Sequence, residues 1–372
     1  MLSPFVKWAG GKEKELKYIL PNLPSHIDRY IEPFVGGGAV YLAISENNIN
    51  KMLINDKSEE LINLYKVIKD KSMAFFNRLS EINHNWIIIE DIVERYRDLF
   101  IERYKDYSED KLTKVEFDDF ITEFILKHSE EFNGILSTNF NININNFIRE
   151  IEKNLLSKTS RMKQLQNEKG KLCDKDILDN IECAFKSGFY MHFRHLYNNI
   201  NKYKIEKEFA TAIFYFIREY CYSSMFRYNK SGNFNVPYGG ISYNRKDFAK
   251  KIEYLQSEEL NRHLKRTDIY NLDFEDFFRD IKPTSGDFLF LDPPYDSDFS
   301  TYAKNEFTLE DQERLANYLK DTKANFMLVI KNTEFIYNLY KDFNIQTFDK
   351  KYLVSFQNRN DKNAEHLMIT NY

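Results

Sequence analysis

Cysteine is scarce: the 372 residues hold three, Cys173, Cys183 and Cys221, with no CxxC spacing and no His pair beside them. A disulfide framework and a cysteine zinc site are both excluded, no other metal site is expected, and the compartment is expected to be reducing. Long apolar runs are missing as well, since nothing approaches the roughly 20 residues of a membrane span. The first residues show no signal-like hydrophobic stretch, so a soluble, cytoplasmic protein without a membrane partner is expected. Surplus positive charge is also absent, with 53 Lys and Arg against 57 Asp and Glu and a formal net charge of −4. A chain coated in nucleic acid would carry more cations, although a single basic face is compatible with this balance. With 42% hydrophobic and 30% charged residues, the composition is that of a folded globular protein. The length suffices for two or three domains. The 25 Tyr and 32 Phe reflect the coding bias of an AT-rich genome as readily as any function.

Glycine and proline number only 12 and 8, and their positions divide the chain. Gly10, Gly11, Gly36, Gly37 and Gly38 crowd the beginning, whereas no proline lies between Pro33 and Pro237. Within that proline-free stretch, Asp91 to Arg103, Lys114 to His128, Asn146 to Gln166 and Glu206 to Tyr222 space apolar residues three and four apart. That period predicts a helical block over residues 69–222. Strand signals flank it: Tyr30–Glu32 and Lys51–Asp56 before, then Asp287–Leu291, Asn325–Ile330, Tyr352–Phe356 and Glu365–Thr370 after. Thr308 and Asp311 form a capping-box signature opening a helix over Thr308 to Leu319. Alternating strands and helices imply an α/β fold, a doubly wound and mostly parallel sheet whose last two strands are antiparallel. The expected organisation is one α/β domain, residues 1–68 and 265–372, split by an inserted helical domain, residues 69–264.

Two constellations carry chemistry. In the first, Glu32-Pro33-Phe34-Val35-Gly36-Gly37-Gly38 follows a strand, and Asp56 ends the next strand twenty residues after Gly36. A glycine turn lets a ligand approach the backbone, and an acid at the second strand's tip accepts hydrogen bonds from ribose hydroxyls. Tyr41 stands where a dinucleotide fingerprint needs Gly or Ala, so NAD is unsupported; Lys12-Glu13 after Gly10-Gly11 is not a P-loop either. In the second, Asp292-Pro293-Pro294-Tyr295 follows the strand ending at Leu291, at the sheet edge where such folds bind ligands. Two prolines stiffen the backbone and remove two N–H donors, leaving carbonyl acceptors. The Asp292 carboxylate and the Pro293 carbonyl suit the hydrogens of an exocyclic amine, whose lone pair would then be localised for attack. Tyr295 offers a face for stacking.

These segments, together with Lys7-Trp8-Ala9-Gly10-Gly11-Lys12, Asn55-Asp56, Arg227-Tyr228-Asn229, Asn233 to Gly239 and Phe307-Thr308-Leu309-Glu310, occur in an order that resembles the Dam-type (D12 class, alpha group) DNA adenine-N6 methyltransferases. The resemblance implies a seven-stranded methyltransferase sheet, S-adenosylmethionine (SAM) as cofactor, and double-stranded DNA as partner. It implies that Trp8 and Lys12 bind the methionine end, with Lys12 on its carboxylate. Phe34, Gly36 and Gly38 would then line the nucleoside, Asp56 would hold the ribose, and Asp273 would lie near the adenine, although an Asp there also suits a helix cap. Asp292, Pro293, Pro294 and Tyr295 become catalytic, acting on an adenine flipped from the duplex. The insertion becomes a target-recognition domain with a β-hairpin near residues 226–241. Tyr222, Arg227, Asn229, Lys230 and Asn233 are its expected DNA contacts.

Two features depart from the family. Ser223 follows Tyr222 where Asn is usual, and residues 80–205 exceed the compact helical region of the GATC-specific members. That region includes a basic run, Lys153, Lys158, Arg161, Lys163, Lys169 and Lys171, suited either to phosphates or to a solvated helix face. GATC specificity is therefore not carried over. A monomer of bacterial or phage origin is expected, serving restriction-modification or DNA marking, with a cognate restriction endonuclease as possible partner. Cytosine-C5 methylation is excluded because no Cys follows a Pro. An N4-cytosine methyltransferase and a non-catalytic DNA-binding regulator of the same fold stay open on the sequence alone.

Overall fold

The computed structural model describes residues 2–44, 49–128, 130–132, 142–295, 307–351 and 363–372. The chain divides into two compact units, Met1–Lys71 with Tyr254–Tyr372, and Ser72–Glu253.

The first unit is built on a seven-stranded sheet, β1 (Arg29–Glu32), β2 (Lys51–Asn55), β3 (Thr267–Tyr270), β4 (Phe288–Leu291), β5 (Asn325–Lys331), β6 (Asn344–Lys351) and β7 (Asn363–Thr370). Their order is β3-β2-β1-β4-β5-β7-β6. Strands β1 to β5 pair in parallel, and β7 runs antiparallel to both β5 and β6. β4 is Phe-Leu-Phe-Leu and buried throughout, the continuous apolar run of a strand covered on both faces. The strand order reverses between β1 and β4, which pair through Tyr30 with Phe288 and Ile31 with Leu289. At such a switch point the loops leaving the two carboxyl ends part and open a crevice. The glycine turn leaves β1 and the Asp-Pro-Pro-Tyr segment leaves β4, so this fold places both constellations at one crevice.

Two strands carried no usable sequence signal. β3 has four residues, only the first of them fully buried. β6 lies at the sheet edge, where Asn344, Gln346 and Thr347 are exposed, so no apolar run marks it. The last strand, β7, is therefore antiparallel to β6 at the edge as well as to β5; the strand expected over Tyr352–Phe356 lies outside the described residues.

The second unit is mainly helical: Met73–Arg95, Arg97–Ser108, Lys114–Lys127, Ile144–Lys169, Asp174–Asn198 and Lys207–Tyr220. The helix expected over Asp91 to Arg103 breaks at Tyr96 (φ −103°, ψ 18°), whose hydroxyl meets His128 at 3.1 Å and Glu131 at 3.0 Å. The first residues of the Asn-rich stretch, 139–141, lie outside the described residues; Asn143 caps the helix Ile144–Lys169 through the amide of Asn146. The aromatic residues supply the core. Trp86 packs edge-on to Phe189, Phe216 and Tyr238, with Tyr220 at a centroid distance of 4.6 Å. Among the described residues, no helix is long and apolar enough to cross a membrane.

Candidate active site at the switch point

The glycine turn is shaped by what it must accommodate. Gly36 (φ +49°) and Gly38 (φ +72°) adopt left-handed backbone, which costs an L side chain about 1–2 kcal/mol. A Cβ on Gly36 would lie 2.8 Å from Trp8 Cδ1, and one on Gly38 would collide with the Tyr65 hydroxyl. That hydroxyl donates to Gly36 O at 3.1 Å, so the glycines admit Trp8 and Tyr65 against the loop backbone. Trp8 therefore braces the turn and also lines the cavity. Asp56 closes it: its carboxylate accepts the Gly36 N–H at 3.0 Å and the Ser58 N–H at 2.8 Å. Burial pushes the Asp56 carboxyl up to about 6, against the lowering effect of those two donors.

Across the crevice, Asp292 is ion-paired with Lys12, which is 2% exposed. The same ammonium donates to Gly10 O at 3.0 Å and lies 3.3 Å from the Tyr295 hydroxyl. An ammonium has three hydrogens, and here three acceptors surround it. Lys12, expected on the methionine carboxylate, is thus committed to the site's own groups. The two proline carbonyls are not equivalent either. Pro294 O accepts from Gln312 Nε2 at 2.8 Å, on the helix Leu309–Asp321, whose start carries the anticipated Thr308–Asp311 capping box.

One cavity joins these parts. It is lined by Trp8 to Lys12, Glu32 to Val40, Asn55 to Ser58, Leu272 to Phe274, Asp292 to Tyr295, and Phe307. Phe34, Phe274 and Phe307 meet with centroid separations of 5.5 to 5.8 Å, an aromatic corner suited to a flat ring. Asp273 also lines the cavity, but its carboxylate caps the helix Phe274–Ile281 through the Glu275 N–H at 3.1 Å and pairs with Arg314 at 2.9 Å. Glu32 opens the glycine constellation but receives no role of its own from sequence, and Gln312 and His366 carry no sequence signal of function. The Glu32 carboxyl accepts the Tyr30 hydroxyl at 2.6 Å, and burial holds it well above the usual carboxylate range. Gln312 and His366 are buried polar residues at positions where apolar periodicity marks only "inside", not chemistry. No cluster of metal-ligating side chains occurs among the described residues.

The second unit holds the hairpin segment. Tyr228 bridges Phe234, and Cys221 bridges Tyr238. Asn229 Oδ1 accepts the Ser231 and Asn233 N–H groups at 3.0 and 2.9 Å, and Arg227 donates to Asn235 Oδ1 at 2.8 Å and to its carbonyl at 3.0 Å. These two side chains, expected to read base edges, are engaged in building the turn. Lys230 and Asn233 stand exposed, and Tyr222 is 48% exposed. Of the basic run, Lys163 pairs with Asp110 and Lys171 with Glu109, so part of its charge is already neutralised.

A family model described as D12 class N6 adenine-specific DNA methyltransferase matches residues 8–184 and 171–354. The chain belongs to that family, and with it the protein is an adenine-specific DNA methyltransferase. It is 27% identical over its whole length to the type II methyltransferase M.CviBI of Paramecium bursaria Chlorella virus NC1A, covering 100% of that protein. It is likewise 27% identical to the type II methyltransferase M.MjaIII of Methanocaldococcus jannaschii, across 100% of this chain and 99% of that protein. A DNA adenine methylase of Serratia marcescens shares 23% identity across 84% of this chain and 76% of its own length.

Two predictions follow from the turn. Gly38→Ala should lower the melting temperature by more than Gly10→Ala, since both have positive φ but only Gly38 is crowded; equal losses would contradict the packing argument. Asp56 has a folded-state pKa of about 6, above the ordinary 3.8, so the folded form binds its proton more tightly. Its contribution to stability is full at low pH and is lost as pH rises from about 4 through 6. The melting temperature of wild type relative to Asp56→Asn should fall across that window, and parallel profiles would refute the shift.

Proposed function

We propose that the cavity binds S-adenosylmethionine beside an adenine flipped out of duplex DNA, and that Asp292 to Tyr295 hold the adenine while its N6 is methylated. The observation that carries this reading is that the β1 glycine turn and the β4 Asp-Pro-Pro-Tyr segment line one cavity at adjoining strand ends. The residues present suit the cofactor: an aromatic corner for its adenine, a side-chain-free turn for the nucleoside and a carboxylate for its ribose. When bound, the cofactor supplies a methyl group activated by a positive sulfonium.

The protein's own residues do the rest by holding and orienting. Phe34, Phe274 and Phe307 stack on the cofactor base, Gly36 and Gly38 let its nucleoside approach, and Asp56 accepts from ribose hydroxyls. Asp273 supports this corner by capping the helix that begins with Phe274. Trp8 keeps the turn in shape, and Lys12 takes the methionine carboxylate by releasing its longest contact, the 3.3 Å one to Tyr295. The Asp292 carboxylate and Pro293 carbonyl each accept a hydrogen of the target amine, which directs its lone pair out of the ring. Pro294 stiffens the segment, its carbonyl being tied to Gln312, and Tyr295 stacks on the target base. The neutral amine attacks without prior deprotonation, so proximity and orientation supply most of the rate enhancement.

Within this reading the insertion is a target-recognition domain. Arg227 and Asn229 preform the hairpin, Lys230 and Asn233 present cation and amide to DNA, and Tyr222 enters the opened duplex. The type II relatives make a cognate restriction endonuclease a reasonable partner, and nothing in the site demands a second protomer.

Asp292→Ala should leave SAM affinity, measured by calorimetry, within about threefold while methyl transfer to duplex DNA falls by at least about a hundredfold, as expected for a group that orients the reacting atom. Normal turnover in that variant would refute the assignment. Lys230→Ala should reduce the slope of log affinity against log salt by about one, the signature of one lost phosphate contact. An unchanged slope would remove Lys230 from the DNA interface.

A further inference from the structure

We propose that His366, on β7, is a positioning residue for Tyr295: it pins the tyrosine hydroxyl, fixes the plane of the ring and thereby sets turnover rather than cofactor binding. The proposal rests on the reading of Asp292 to Tyr295 as the segment that holds the target base.

His366 sits in a strand whose next residues, Leu367, Met368 and Ile369, are all buried, and is itself 0% exposed. A polar ring in such a place costs free energy unless its nitrogens find partners, so an apolar residue would serve packing better. The partner found is catalytic: His366 Nε2 lies 3.2 Å from the Tyr295 hydroxyl. The two rings meet edge to face, with centroids 5.6 Å apart and planes at 69°. Behind the histidine, Phe348 of β6 lies at 5.9 Å, and the β7 backbone at His366 is paired with Lys331 of β5. The imidazole is thus held by the sheet, whereas Tyr295 leaves the end of β4 in a loop.

The same hydroxyl has a second neighbour. Lys12 approaches the same hydroxyl at 3.3 Å and can only donate. The tyrosine oxygen accepts there and still shares a hydrogen bond with His366 Nε2, since the hydroxyl keeps a second lone pair and its own proton for that contact. An ordered chain results, Asp292–Lys12–Tyr295–His366, joining the amine-binding carboxylate to the sheet. Once Lys12 turns to the cofactor, His366 still holds the hydroxyl. That hydroxyl is the far end of the aromatic lever, so fixing it removes the ring's swing and tilt, the freedoms that would misalign a base stacked on its face.

The test uses the full chain on duplex DNA carrying its target sequence in unmethylated form. His366→Phe keeps a ring but removes the hydrogen-bonding nitrogen, while His366→Gln places an amide where Nε2 was. His366→Phe should lower kcat about tenfold, the scale of a small misplacement of reacting groups, with the KM for S-adenosylmethionine unchanged within about twofold; His366→Gln should recover most of the loss. In a Tyr295→Phe background the further change His366→Phe should cost less than about twofold, because the contact is already gone. Should His366→Phe not fold, His366→Asn, whose amide is too short to reach, takes its place and should be slower than His366→Gln. Unchanged kcat in His366→Phe, no advantage of Gln, or equal losses in the two backgrounds would each overturn the proposal. A wild-type protein that transfers no methyl group would overturn the functional reading with it, whereas an active wild type with indifferent His366 variants overturns this inference alone.

Discussion

The ion pair between Lys12 and Asp292 joins residues 280 positions apart and does so inside the crevice where β1 and β4 end. Burying an ammonium is expensive unless opposite charge and hydrogen-bond acceptors surround it. The Gly10 carbonyl, the Asp292 carboxylate and the Tyr295 hydroxyl meet that need together. The segment preceding β1 and the segment following β4 are thereby drawn to the same point, although the entire second unit intervenes in sequence. The same contact fixes where the Asp292 carboxylate oxygens lie, and these are acceptors suited to the hydrogens of an amine.

Each half of the crevice is stiffened from behind. On the β1 side, Trp8, Tyr65 and Asp56 press on or bond to the glycine turn, so its exposed backbone is held in one shape before any ligand arrives. On the β4 side, two consecutive prolines limit the backbone, Gln312 fixes the Pro294 carbonyl, and His366 meets the tyrosine. Methyl transfer between two bound groups needs little covalent participation from the protein, so a site of this kind gains by holding groups already in line. The braces are placed where that requirement predicts.

Legibility followed the kind of constraint each residue meets. Glycine clusters and double prolines were visible because they are rare here and act through their own backbone, and β4 and β5 were visible because strands buried on both faces read as apolar runs. β3 and β6 were not, being short or exposed and specified by their neighbours. The fate of polar side chains was least legible. Lys12, Arg227 and Asn229 were picked out as polar groups facing a ligand, yet in the fold each is occupied by the protein's own acceptors or donors. Gln312 and His366 passed unnoticed for the converse reason, since their partners lie on strands and loops distant in sequence. Residue type shows what a group can bond, and only the fold shows what it does bond.

The most direct measurement is a crystal structure of the full chain with duplex DNA and an unreactive analogue of S-adenosylmethionine. The account requires an adenine out of the stack, its N6 within hydrogen-bonding distance of both the Asp292 carboxylate and the Pro293 carbonyl, and its ring against Tyr295. An adenine left paired in the helix, or an extruded base whose amine faces groups other than Asp292 and Pro293, would contradict it.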